Sequence, residues 1–115
     1  MSVRRVVPNI RSSEQARSRD FYGLLGFEEV MDLGWVMTLA SPEQPAEQIS
    51  VVSQDASAPV HPDLSVEVDD VDAVHAAVVA AGADVVFPPR DEEWGVRRFF
   101  VRDPDGTVVN VLSHR

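Results

Sequence analysis

The sequence predicts an α+β fold made of two successive βαβββ modules, and two observations carry that prediction. First, two helix-length segments each stop on a glycine at the same spacing from a capping residue, Ser13 to Gly26 and Asp69 to Gly82. Second, three strand-like segments follow each helix, and Pro42 and Pro104 each open the turn before the last of them. The alternation of Ile49-Ser50-Val51-Val52 matches that of Val109-Asn110-Val111-Leu112. A unit of roughly 55 residues cannot bury both faces of its sheet alone, so the two units are expected to pair. The 115 residues then form a single domain, with module one at 1–57 and module two at 60–115.

The elements follow in order. Val6 to Ile10, read from Val3, make a first strand. Ser12 and Gln15 have the spacing of a capping box, which predicts a helix running to Leu25 with Phe21, Tyr22, Leu24 and Leu25 on one side and Gly26 as its stop. Strands are predicted at Glu28 to Asp32, Trp35 to Ala40 and Gln48 to Ser53. After Asp55-Ala56-Ser57-Ala58-Pro59, linker-like in composition, the order starts again. Leu64 to Val68 alternates as a strand, and Asp69 or Asp70 caps a helix whose Val71, Val74, Val78 and Ala81 form an apolar stripe ending at Gly82. Asp84 to Phe87, Val96 to Arg102 and Thr107 to Ser113 close the chain, the last two joined by the turn Asp103-Pro104-Asp105-Gly106.

Composition excludes several classes of function. A hydrophobic fraction of 44% and a charged fraction of 25% are those of a globular protein rather than a disordered one. A net charge of −9 repels phosphate backbones and anionic lipid, so neither nucleic acid nor membrane is an expected partner. With no cysteine there is no disulfide, thiolate zinc site or thiol nucleophile. No apolar segment follows Met1-Ser2-Val3-Arg4-Arg5, and the longest apolar run, Ala76 to Ala81, is too short to span a bilayer, so the cytoplasm is the expected location. A phosphate-binding glycine loop, a nucleophile elbow and a paired-histidine helix motif are all missing.

Alternation divides the strands into two faces. Val6/Pro8/Ile10, Ile49/Val51, Leu64/Val66/Val68 and Val109/Val111 form an apolar set that packs under the helices. The opposite set, Val7/Asn9/Arg11, Ser50/Val52, Asp63/Ser65/Glu67 and Val108/Asn110/Leu112, is half polar and is the expected place for a ligand. Carrying the register across a turn at Asp103 to Gly106 puts Arg97, Phe99 and Val101 on this second face, and the repeat adds Trp35, Met37 and Leu39. Residues this apolar suit a pocket or a dimer contact better than a wet surface.

Phe21-Tyr22-Gly23-Leu24-Leu25-Gly26-Phe27 and Trp94-Gly95-Val96 through Asp103-Pro104-Asp105-Gly106 resemble the corresponding segments of the glyoxalase/bleomycin resistance protein/dioxygenase superfamily, the vicinal oxygen chelate proteins. The resemblance covers essentially the whole chain. It implies two paired βαβββ modules whose mixed, curved sheets form a cup, in a homodimer. It also implies that metal-dependent members would place their ligands where this chain has Val7, Ser50, Asp63 and Asn110. One carboxylate among four positions does not hold a metal, so neither metal nor other cofactor is expected. A rearranged site using His61, Asp63 and Glu67, supporting a metal-dependent lyase or dioxygenase, is the alternative; His75 and His114 are expected to be solvated or partly packed.

The resemblance also points to members that sequester drugs without chemistry. The resulting expectation is a metal-free cup binding a small amphipathic or aromatic molecule, with no catalytic residue. Trp35, Met37, Trp94 and Phe99 would supply apolar contact, while Asn9, Arg11, Ser50, Asp63, Ser65, Glu67 and Asn110 would orient polar groups. The acidic run Asp91-Glu92-Glu93 is expected to be a solvated loop.

Overall fold

The computed structural model describes residues 2–115 and divides the chain into two compact units. One spans Val7–His61; the other takes the chain through Val6 together with Pro62–Arg115. The first strand, β1 (Val3–Arg11), contributes to both.

In the unit Val7–His61, β1 is followed by α1 (Gln15–Gly23), β2 (Glu28–Asp32), β3 (Val36–Ala40) and β4 (Gln48–Val52). The sheet order is β2-β3-β4-β1, antiparallel except for the parallel pair of β1 with β4. Tyr22 of α1 and Phe27 just beyond it cover Met37, Leu39, Ile49 and Val51, with Ile10 beside them. The expected capping box is absent. Ser12 N–H is taken by the Val52 carbonyl, and the Gln15 side chain donates instead to the Val51 carbonyl at 3.0 Å, so Gln15 ties the helix to the sheet. The helix also ends at Gly23, which leaves Leu24 and Leu25 in the following turn, exposed.

The other unit continues with β5 (Leu64–Val68), α2 (Val71–Ala80), β6 (Val85–Asp91), β7 (Val96–Arg102) and β8 (Val108–His114). Its sheet runs β5-β8-β7-β6, with β5 and β8 parallel and the rest antiparallel. Asp70 caps α2, its carboxylate accepting from Ala73 N–H at 3.1 Å. Gly82, at φ +80, lets the chain leave the helix so that Ala83 N–H reaches the Val78 carbonyl. The core beneath α2 holds Val68, Val71, Phe99, Val101 and Val111, joined by Val66, Val74 and Val109. Among the described residues no helix is long and apolar enough to cross a membrane.

The register of β7 on β8 corrects the expected faces. Arg102 pairs with Val108, Val101 with Val109 and Phe99 with Val111. Thr107 belongs to the loop rather than to the strand: its carbonyl accepts from Asp103 N–H, its own N–H goes to the Asp103 carboxylate, and Gly106 supplies φ +92. One extra loop residue shifts the register by one and turns every β7 side chain over. Phe99 and Val101 therefore lie under α2, and Arg97 points the same way, to Asp72 of α2. In the other unit Met37 pairs with Val51 and Leu39 with Ile49, which likewise places both under α1.

Candidate functional site

Because Val66, Val109, Val111 and Phe99 face α2, the alternate residues of the same strands form the opposite face. Ser65 and Glu67 come from β5, and Asn110, Leu112 and His114 from β8. β7 contributes Val96, Arg98 and Phe100, and β6 contributes Phe87 and Arg90 through pairs with Phe100 and Arg98. Both sheet faces of this unit are thus in use, one under α2 and one carrying a mixed polar and aromatic set in which Phe87, Val96, Arg98, Phe100, Asn110 and Leu112 are buried.

Three groups organise that surface. Asn110, 9% exposed, donates from its side-chain amide to Ser65 Oγ at 3.0 Å, while its Oδ1 is buried and accepts nothing. An unmet buried acceptor costs about 1–3 kcal/mol. Glu67 is held from two sides, Oε1 by Arg5 Nε at 3.1 Å and Oε2 by His114 Nδ1 at 2.9 Å. Glu92, 3% exposed and just past the end of β6, pairs with Arg98 at 2.7 Å and with Arg90 at 2.6 Å. The Arg98 guanidinium also lies 5.4, 4.9 and 5.0 Å from the ring centres of Phe87, Trp94 and Phe100. The aromatic faces and the carboxylate together replace the water that a buried guanidinium loses.

The expected site residues divide between places. Ser65, Glu67 and Asn110 share the face just described, and Trp94, partly exposed, caps it from the turn before β7. Asp63 lies just before β5, exposed, its N–H given to the Val108 carbonyl. Asn9 and Ser50 are register partners on the face opposite α1 in the other unit, with Arg11 exposed at the end of β1. Trp35 is half-buried in the bend before β3, its carbonyl accepting from Ser53. Met37, 4% exposed, and Phe99, 0% exposed, are core residues under the helices, because the strand registers turn them away from the polar faces.

Arg97 is removed from the site for the same reason. Its hydrogen bonds to Asp72, and then to Asp91, raise its pKa above the usual arginine value and tie β7 to α2.

Arg5, Phe87, Glu92, Arg98, Phe100 and His114 belong to this surface and were not expected there. Glu92 corrects the solvated-loop expectation for Asp91-Glu92-Glu93, and His114, exposed as expected, lies with its Nδ1 2.9 Å from Glu67 Oε2. An odd-length loop at Asp103 to Thr107 would have revealed Arg98 and Phe100 from sequence; nothing in sequence marks Glu92 as buried.

The donor set does not fit a divalent metal. Val7 and Ser50 offer no imidazole or carboxylate, Asp63 is exposed, and Asn110 is a neutral amide. In the rearranged alternative, Glu67 is already ion-paired with Arg5 and in contact with His114 Nδ1, and His61 Nε2 lies 3.3 Å from the Asn9 carbonyl. Among the described residues no three His, Cys, Asp or Glu side chains stand close enough to hold an ion. Elsewhere, an open depression of about 470 Å³ beside the first turn of α1 is lined by Arg11, Ser13, Arg17 and Phe21, none of them buried.

The sequence profile of the Glyoxalase/Bleomycin resistance protein/Dioxygenase superfamily matches residues 4–111. The chain belongs to that superfamily. A glyoxalase/bleomycin resistance protein/dioxygenase superfamily member from Vibrio splendidus 12B01 superposes with a TM-score of 0.68 at 18% identity, over 97% of this chain and 99% of that one. Methylmalonyl-CoA epimerase from Mycobacterium tuberculosis gives 0.69 at 19% identity, over 98% and 87%. A Legionella pneumophila structure described as an NAD-dependent benzaldehyde dehydrogenase gives 0.78 at 18%, over 96% and 99%. Identities this low establish a shared fold. A search of curated proteins finds no significant match.

Proposed function

We propose that this superfamily member binds a small amphipathic or aromatic molecule without metal chemistry, sequestering a drug or metabolite on the sheet face opposite α2. The observation that carries the reading is Asn110: a nearly buried amide with an unmet acceptor, set between Ser65 and Phe100 on a face whose other members are aromatic or ionic. A ligand N–H or O–H would satisfy that acceptor, and Trp94 would supply a flat apolar contact. Within the unit Val7–His61, Asn9 and Ser50, register partners opposite α1, together with Arg11 and Trp35, are proposed as a separate contact surface of that unit. The lyase and dioxygenase alternative is disfavoured by the donor chemistry above.

Tryptophan fluorescence tests it, with Trp94→Phe and Trp35→Phe separating the two reporters and elemental analysis run on the same preparation. Quenching that is lost in Trp94→Phe supports the reading. A tightly held stoichiometric metal, together with lyase or ring-cleaving activity, would replace it.

We also propose a homodimer. Support comes from the unit Val7–His61, where every residue of the edge strand β2 is exposed and Phe21, Leu24, Leu25, Val30, Met31 and Leu33 leave apolar side chains in water. Sedimentation should show a dimer at micromolar concentration and a monomer for Leu24→Glu/Leu25→Glu. A monomeric parent chain would refute it.

A further inference from the structure

We infer that the open edge of β2 takes an added strand from a partner protein, an extended segment that alternates arginine or lysine with apolar residues. The inference goes beyond small-molecule binding and concerns the unit Val7–His61 alone.

β2 stands last in its sheet, so one of its edges carries no neighbouring strand. A free edge presents backbone N–H and C=O groups that an extended chain can pair with, and most proteins block it. β6, the last strand of the other unit's sheet, shows such a block: Pro88 and Pro89 remove two N–H donors, and its register on β7 shifts twice. β2 has no proline. Its one irregularity is at Val30, which has no partner on β3, and all five of its residues are exposed, Val30 by 60% and Met31 by 40%.

The charge along this edge is of one sign. From Asp20 to Glu47 the chain has six acids and no arginine, lysine or histidine. Glu28, Glu29 and Asp32 lie on β2 itself. Glu28 pairs with Ala40 in register, so the β3–β4 loop with Glu43 and Glu47 leaves the sheet beside it. Arg19 of α1 reaches Glu29 at 3.6 Å but is shared with Asp20 at 3.4 Å. Asp32 accepts from Gly34 N–H, a bond that leaves its charge uncompensated, and the Glu28 side chain has no partner among the described residues.

The register sorts these side chains by face. Glu29 and Asp32 pair with Leu39 and Met37, which lie under α1, so both acids project on that side. Met31 pairs with Thr38 and projects on the other. An added strand with alternating side chains would therefore set its cations beside Glu29 and Asp32 and its apolar residues beside Met31. A second copy on the same edge would set acids against acids, so it is not the occupant proposed here; the dimer proposed above is tested separately, at Leu24 and Leu25.

The test is fluorescence anisotropy of the full chain, at low ionic strength, with a labelled octapeptide that alternates arginine and valine. The same peptide with its middle valines replaced by proline, and one with glutamate in place of arginine, serve as comparisons. The alternating basic peptide should bind about tenfold more tightly than the proline peptide, with the acidic one weakest. It should also slow amide hydrogen exchange across Glu28 to Asp32. Glu29→Lys/Met31→Lys should lose that binding while keeping the parent's circular dichroism, since both positions are exposed. A proline peptide that binds as tightly as its parent would show adsorption by charge alone and overturn the inference, as would binding untouched by the double variant or no binding at all. Protection of the β2 amides that rises with protein concentration, without peptide, would make a second copy the occupant and overturn it too.

Discussion

Replacing Glu92 by glutamine keeps the shape of the side chain and removes the charge that compensates Arg98. Both side chains are almost wholly out of water, 1% exposed for Glu92 and 4% for Arg98, at 2.7 Å. Withdrawing one partner from such a pair leaves a buried charge without its counter-ion, at a cost of about 3–5 kcal/mol. That is a large share of the roughly 5–15 kcal/mol that holds a domain folded, and for a chain of this size it corresponds to a fall in Tm on the order of 10–20 °C. The rings of Phe87, Trp94 and Phe100 around the guanidinium recover part of the loss, so the lower end of the range is expected. Urea unfolding followed by far-UV circular dichroism measures it. The double variant Glu92→Leu/Arg98→Met should regain most of the stability, because an apolar pair of similar volume avoids desolvating either charge. A loss below about 1 kcal/mol for Glu92→Gln, or a double variant as unstable as the sum of the singles, would show that the pair is not coupled as described.

Three further outcomes follow from the same contacts. Phe99→Ala should destabilise by about 3–5 kcal/mol, since the ring is fully buried against α2 and His75, and a much smaller loss would contradict the β7 register. Gly106→Ala should lose about 1–2 kcal/mol in thermal unfolding because of its φ of +92, although the added methyl meets no neighbour; an unchanged Tm would contradict the strain assigned to the loop. The Ser2 N–H lowers the pKa of Asp69 below the ordinary aspartate value, so its contribution is present above the unfolded pKa and lost as pH falls through the folded one. Carboxyl NMR should place the Asp69 midpoint below that of an unstructured aspartate, and Asp69→Asn should lose less stability than the parent on acidification; a midpoint at or above the ordinary value would contradict the contact.

Much of the fold was legible because periodicity and punctuation agree locally. The stripe Val71, Val74, Val78 with Asp70 before it and Gly82 after it specifies α2 without tertiary information, and Leu64 to Val68 alternates in full. The helix-facing sets of β4, β5 and β8 followed from alternation alone. What was not legible depended on partners distant in sequence. The register of β7 turns on whether Thr107 is the last loop residue or the first of the strand, a choice made by hydrogen bonds to Asp103 that apolar patterning does not encode. Gln15 has the spacing of a cap, yet a carbonyl of β4 captures its amide. Glu92 looks like one of three solvated acids until Arg98 is placed on the right face beside it. The expected sheet faces therefore match the structure along β5 and β8, and differ along β7 and β3, where a one-residue shift exchanges the polar face and the core.

The most direct test of the central claim, that a small molecule is held on the sheet face opposite α2, is a chemical-shift titration of isotope-labelled protein with 2-naphthoate. The account predicts saturable shifts at the Asn110 side-chain amide, the Trp94 indole N–H and the backbone of Ser65, Phe100 and Leu112, with Phe99 and the α2 residues Val74 and Val78 little changed. Shifts confined to the α2 side of the sheet, or to the exposed apolar surface around Leu24 and Val30, would contradict it.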